Sequence, residues 1–482
     1  MNISRPAPAT LRLLRLDIRS PLTLQQQLLD NLRSLILQRK LSTGQRLPSS
    51  RALAKQLSIS RNTVLAVFDQ LTSEGYLRGI RGSGTSVAAE LPESFLKTRL
   101  TSNIKGHSVI PLPESPQPIS VRPFRPCVPS ITEFPLEIWE RIRRRVLTRR
   151  GAKLLNYGSP AGDRQLREQI ASYLQDFRGV RCEAAQIIVT AGAQQAFCLV
   201  ARTLGGQVSN IIWFEDPGYI DARLAFEEAG LCVVSRKIDE QGITVPTWEE
   251  GAPRLVYMTP SRQFPLGTTM SLARRLEWLE FARNHGVWII EDDYDSEFRY
   301  EGRPLNSLQG LIPNTQVFYI GTFSKSLFPS LRIGYIVVPP SHLAAIWETK
   351  ETMDVHSPLI DQSVLAEFIE QGHFARHLRK MRSVYAQRAH TFAESTREHW
   401  DSIVKVDSIS SGLNVAGWLQ GGDADMYAKT ALAHGNQVLN IARYCRTVQL
   451  PPGFLFGFAS TSVPQIRKAV QELARIWAPL RK

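Results

Sequence analysis

Cysteine is scarce in this chain and acidic residues are outnumbered. Five cysteines, Cys127, Cys182, Cys198, Cys232 and Cys445, are spread over 482 residues. Their odd number and wide spacing exclude a disulfide framework and a cysteine-based metal signature. A reducing, cytoplasmic compartment is expected, with no metal site. No apolar run approaches the 18 residues a membrane-spanning helix needs, and Met1 to Thr10 is broken by polar residues and prolines, so neither a membrane nor a leader segment is expected. The 44 acidic residues fall short of the 58 basic ones, leaving a net charge of +14. That excess permits contact with a polyanion and says nothing about fold. No internal repeat is visible.

Hydrophobic residues make up an ordinary 43% of the chain, and its length supports more than one domain. Composition shifts twice. Residues 11–90 read as short helices followed by a glycine-rich strand signal. Residues 91–118 hold five prolines without sustained periodicity, which suits a semi-extended linker. From 119 to 482, apolar runs alternate with helical patterns. The runs Gln186–Thr190, Asn210–Phe214, Arg254–Met258, Gly286–Ile290 and Gln316–Ile320 suggest a parallel sheet covered on both faces.

In the first region, Leu24, Leu28, Leu32 and Leu35 or Ile36 form one helical stripe. A short helix follows, with Ser49 or Ser50 as N-cap, and then a second that Ser60 caps. Val64, Val67, Phe68 and Leu71 of that second helix point inward. Arg61, Asn62 and Thr63 fill its first turn, where a helix-turn-helix meets the major groove. Arginine addresses guanine edges or phosphate and asparagine addresses adenine, so both assignments stay open. The segment Gly75–Val87 reads as a two-stranded wing whose glycine turn approaches phosphate. With Arg46-Leu-Pro-Ser-Ser-Arg51, Ser60-Arg-Asn-Thr-Val64 and Gly82-Ser-Gly-Thr85, this region resembles the winged helix-turn-helix of the GntR family. The resemblance implies DNA contact by Arg51, Arg61 and Gly82, beside Ser60, Asn62 and Thr63.

In the large region, Gly321-Thr-Phe-Ser-Lys-Ser-Leu-Phe-Pro-Ser-Leu-Arg332 sets Lys325 among hydroxyl residues, with Arg332 seven positions on. Such surroundings suit a lysine that forms a Schiff base with an aldehyde cofactor bearing a phosphate. A pyridine nitrogen that acts as electron sink needs a carboxylate; Asp292 is preferred and Asp293 is its competitor. Tyr294 is placed to donate to the ring's phenolic oxygen, and Tyr219 to stack on the ring. Ala193 and Gln194, opening a helix after Gly192, complete a phosphate cup with Thr322, Ser324 and Arg332.

These stretches, with Asn156-Tyr-Gly-Ser-Pro-Ala-Gly162 and Glu215-Asp-Pro-Gly-Tyr219, resemble the fold-type I, aspartate-aminotransferase-like enzymes that use pyridoxal phosphate. The resemblance implies an α/β domain, a dimer, and Tyr157 reaching the neighbouring subunit's phosphate. A winged helix-turn-helix, a proline-rich linker and such a domain, in this order, resemble the MocR/GabR group of transcriptional regulators. That resemblance implies a domain-swapped, head-to-tail homodimer on double-stranded operator DNA, sensing pyridoxal phosphate or an amino compound through an aldimine at Lys325. A regulator with at most residual transaminase activity is expected; the alternative is an active aminotransferase with an accessory DNA-binding domain. Three departures stand out. Arg262 replaces the group's usual histidine, and Phe264 an asparagine common in transaminases. Gly453–Ala459 lacks an arginine that many transaminases carry. Arg443 matches the regulators' substitute clamp for an effector carboxylate, with Arg446 as a rival.

Overall fold

The computed structural model describes Leu14, Leu16, Asp17 and residues 20–80, 84–89, 122–205, 210–246, 253–302 and 306–481. Gly82 and the expected linker 91–118 lie outside the described residues. The chain divides into two compact units, Met1–Ser115 and Pro116–Lys482.

The first unit holds three helices, α1 (Leu24–Leu37), α2 (Ser50–Leu57) and α3 (Arg61–Ser73), then strands β1 (Leu77–Ile80) and β2 (Gly84–Val87). Thr23, Ser49 and Ser60 cap the three helices, each side-chain oxygen accepting a backbone N–H from the first turn. Leu28, Leu32 and Ile36 of α1 pack on Leu53 of α2 and on Val64, Val67 and Leu71 of α3. Leu29 joins this core, whereas Leu24 lies at its edge. Strands β1 and β2 pair antiparallel. Gln45–Leu47 adds a third edge, since Leu47 donates to Thr85 and Val87 to Gln45.

The second unit is built on an eight-stranded sheet of order β3-β10-β9-β8-β7-β4-β5-β6. The strands are β3 (Ile187–Thr190), β4 (Ile211–Asp216), β5 (Cys232–Asp239), β6 (Gly242–Ile243), β7 (Leu255–Met258), β8 (Trp288–Asp293), β9 (Val317–Thr322) and β10 (Gly334–Val337). The five apolar runs form β3, β4, β7, β8 and β9, which all point the same way, and the sheet adds two strands of opposite direction. Strands β9, β8, β7, β4 and β5 run parallel, but β10 lies antiparallel between β3 and β9, and β6 antiparallel to β5. An apolar run reports burial on both faces, not strand direction, so β10 escaped the pattern.

Alternation along each strand sorts the two faces. Ile188, Phe214, Tyr257, Ile290 and Phe318 pack toward helices Ala193–Leu204 and Ile220–Glu228. Val256, Ile289 and Val317 pack toward Trp278 of the helix Leu272–His285. A second sheet, order β11-β12-β14-β13, is wholly antiparallel: β11 (Val404–Val406), β12 (Asn414–Leu419), β13 (Leu439–Asn440) and β14 (Gly453–Gly457). It packs its apolar face on Phe392, Trp400 and Trp477. Burying each of these rings contributes roughly 2–3 kcal/mol. Among the described residues, no helix is long and apolar enough to cross a membrane.

Candidate cofactor pocket and DNA-facing helix

A cavity of about 190 Å³ opens where β4, β7, β8 and β9 end, and Lys325, Asp292, Tyr294 and Arg332 line it together. Strand ends collect ligands in open α/β sheets because the loops there diverge. Two details refine the sequence reading. Strand β8 runs three residues past its apolar run and β9 two, so Asp292 and Thr322 belong to the strands rather than following them. Alternation then separates the two adjacent carboxylates. Asp292 faces the cavity, while Asp293 faces the opposite layer, where Arg178 donates to it at 2.8 Å and Tyr319 also donates.

Asp292 is buried. One carboxylate oxygen, Oδ2, accepts the Tyr257 hydroxyl at 2.7 Å, while Oδ1 is buried with no protein partner. Burial, and secondarily the neighbouring Asp293 and Asp295, pushes its carboxyl up to about 7, against the Tyr257 hydrogen bond that favours ionisation. Tyr257 was not foreseen. Its signal was a hydroxyl inside the apolar run Leu-Val-Tyr-Met, since a buried tyrosine needs a polar partner. Burial and the Asp295 charge hold the Tyr294 hydroxyl well above its usual range, so it remains a donor.

Across the cavity, Gly192 has φ of +98° and opens the helix Ala193–Leu204. A Cβ at this position would come within 3.2 Å of the Arg332 guanidinium. Glycine thus lets the helix N-terminus and an arginine approach together, a cradle for a doubly charged anion. Ala193, Gln194, Thr322 and Ser324 line the same cavity. Gln194 donates to the Asp221 carbonyl at 2.8 Å, and Ser324 N–H to the Thr322 hydroxyl at 3.2 Å. Tyr219 also lines the cavity, its hydroxyl donating to Asp221 at 2.9 Å and its ring set edge-on to Phe264. Lys325 donates to the carbonyl of Cys127 at 2.8 Å. Cys127, also unforeseen, is held in a left-handed conformation with φ of +64°.

Tyr157 is 83% exposed and is not among the cavity's lining residues. Arg443 lines an adjoining outer chamber of about 850 Å³ that shares Lys325, Tyr219 and Phe264 with the inner cavity. Arg446 is committed elsewhere: its guanidinium pairs with Glu227 at 2.6 Å and its backbone N–H with Asp216. Asp216 also accepts from Thr447 and Val448. The loop carrying Arg443 is therefore pinned to the end of β4.

In the first unit, the Ser60 hydroxyl accepts Thr63 N–H at 3.0 Å and contacts the Thr63 hydroxyl at 2.9 Å. Arg51, Arg61 and Asn62 are exposed. Arg61 Nε approaches Ser50 at 3.4 Å, bringing the first turns of α2 and α3 together.

Comparison with known proteins agrees with this arrangement. Residues 24–87 match the bacterial regulatory proteins of the gntR family, and residues 130–470 match aminotransferase class I and II. The probable rhizopine catabolism regulatory protein MocR of Rhizobium meliloti is 35% identical over 475 residues, covering 96% of this chain and 95% of that protein. The pyridoxine biosynthesis transcriptional regulator PdxR of Corynebacterium glutamicum is 29% identical, covering 95% and 97%. Among solved structures, LysN, an α-aminoadipate aminotransferase of Thermus thermophilus, aligns with a TM-score of 0.68 at 26% identity, over 74% of this chain and 92% of its own. The fold is thus a winged helix-turn-helix joined to a fold-type I, aspartate-aminotransferase-like domain. The chain belongs to the MocR-like transcriptional regulators of the GntR family.

Proposed function

We propose that this protein is a pyridoxal-phosphate-responsive regulator that binds operator DNA through α3 and the wing and reads its effector at Lys325. One observation carries the cofactor reading: a buried Asp292 oxygen without a partner in a cavity that a lysine amine and an arginine also line. Burial of an uncompensated carboxylate is costly, and a protonated pyridine nitrogen offsets that cost. The remaining residues fit the same group. Tyr294 would face the phenolic oxygen and Tyr219 the ring. Ala193, Gln194, Thr322, Ser324 and Arg332 would hold the phosphate. When bound, the cofactor supplies an aldehyde carbon that a lysine amine and a free amino compound can both occupy.

Arg443, lining the outer chamber that Lys325 also lines and unclaimed by Glu227, is the better candidate for an effector carboxylate. The exposure of Tyr157 supports a role at the neighbouring subunit's phosphate, hence a homodimer that exchanges domains head to tail. Arg51, Ser60, Arg61, Asn62, Thr63 and Gly82 form the DNA-facing set. For such a protein to signal, the effector must bind two arrangements of the dimer with unequal affinity.

The test measures cofactor absorbance and operator binding together, with and without pyridoxal phosphate and a panel of amino compounds. Lys325→Ala should abolish the borohydride-stable mass addition and the response of DNA affinity to amino compounds. A variant that responds as the wild type does would refute covalent sensing. The second reading, an active aminotransferase with a DNA-binding appendage, draws on the solved aminotransferases that share this domain. Turnover of an amino donor and a keto acid with DNA affinity unaffected would favour it.

A further inference from the structure

Arg262 is buried next to the cofactor cavity without lining it. Its guanidinium donates to the Tyr294 hydroxyl oxygen at 3.2 Å, faces Asp295 at 3.5 Å and donates to the carbonyl of Asn414 on β12. Two glycines make room for it. Gly267 and Gly412 have φ near +80°, and a Cβ on either would crowd the guanidinium. From Asn414 the connections continue inward: its side-chain oxygen accepts Cys127 N–H at 2.6 Å, and the Cys127 carbonyl accepts the Lys325 amine.

A tyrosine oxygen that accepts from a guanidinium has its own proton turned elsewhere, and Tyr294 lines the cavity. Phe264, which also lines it, offers no donor. We infer that Arg262 is a positioning residue that turns the Tyr294 proton toward the cofactor's phenolic oxygen and, through Asn414 and Cys127, holds the Lys325 amine in register with it. The inference rests on the cofactor reading proposed above. It makes one arginine the link between the second sheet and both reactive sides of the pocket. The charged and titratable groups around this link are Asp295, Tyr300 and the Cys127 thiol, with Arg178 and Arg299 beside Arg262 on its outer side.

A donor to the phenolic oxygen stabilises its anionic form and lowers the pH midpoint of the bound cofactor's visible absorption. The experiment titrates that band in full-length holoprotein. Tyr294→Phe should raise the midpoint by about one pH unit. Arg262→Gln should raise it nearly as far, and the double variant no further than Tyr294→Phe alone. Arg262→Lys, which keeps the charge but cannot span Tyr294 and Asn414 as a fork, should shift it less and guards against misfolding of the glutamine variant. A midpoint at the wild-type value in every Arg262 variant that binds cofactor, even with weakened affinity, would reduce Arg262 to a structural role. A wild-type chain that takes up no cofactor would instead defeat the underlying reading, before any variant is compared.

Discussion

The first turn of α3 and the cofactor pocket solve opposite problems with the same kinds of side chain. Arg61 and Asn62 are exposed, and apart from a long contact of Arg61 with Ser50 it is their helix that is fixed, by the Ser60 cap. In the pocket, Arg332, Asp292 and Tyr294 are held by neighbours that leave selected atoms facing the cavity. A surface that meets a long polyanion gains from adaptable cations. A site for one small molecule gains from donors and acceptors fixed in advance.

The sharpest way to break this comparison is inside the second unit. If pocket geometry depends on which face of β8 a carboxylate occupies, Asp293 and Asp292 should behave as different residues. Asp293→Asn removes the carboxylate that faces the Arg178 guanidinium, whose side chain is 5% exposed. It should cost about 3–5 kcal/mol of unfolding free energy in urea, because the buried guanidinium loses a charged acceptor. A loss below 1 kcal/mol would mean that the pair is not structural.

The corresponding change on α3 should leave folding alone. Arg61→Ala should weaken operator binding by roughly 10- to 100-fold. If Arg61 meets phosphate, the slope of log affinity against log salt should fall by about one, uniformly across sequences. If it reads a base, the slope should hold while preference at one base pair relaxes. Unchanged affinity and slope would remove Arg61 from the interface.

What the sequence made legible follows the same division. Helix caps and inward stripes in the first unit are local, and Ser49, Ser60, Val64 and Leu71 stand where periodicity and capping chemistry put them. The strands carrying Asp292 and Thr322 were legible as apolar runs, but their ends, Glu291-Asp-Asp293 and Gly321-Thr322, carry no apolar side chain and read as loop. Long-range partners were not legible. Nothing near Asp292 in sequence announces Tyr257, 35 residues earlier, and nothing near Lys325 announces Cys127, 198 residues earlier. The antiparallel second sheet was missed for a related reason: β11 and β13 span three and two residues, too short for alternation to show.

Asp292 supplies the subtlest test, because its burial opposes folding of the empty pocket. Its carboxyl is pushed up to about 7 in the folded chain, above the ordinary aspartate value near 3.9 expected when unfolded. A raised carboxyl favours folding only while protonated. That contribution is full below about pH 4 and is lost as pH rises through about 7. Asp292→Asn carries no such charge and can still accept the Tyr257 hydroxyl. Without cofactor, the variant should therefore be more stable than wild type at pH 8, with that advantage gone at pH 4. With cofactor the order should reverse at pH 8, since only the carboxylate answers a pyridinium. Urea melts at both pH values, with and without pyridoxal phosphate, read the difference directly. A gain of equal size at pH 4 and pH 8 would show that Asp292 is not a strained charge waiting for a cation.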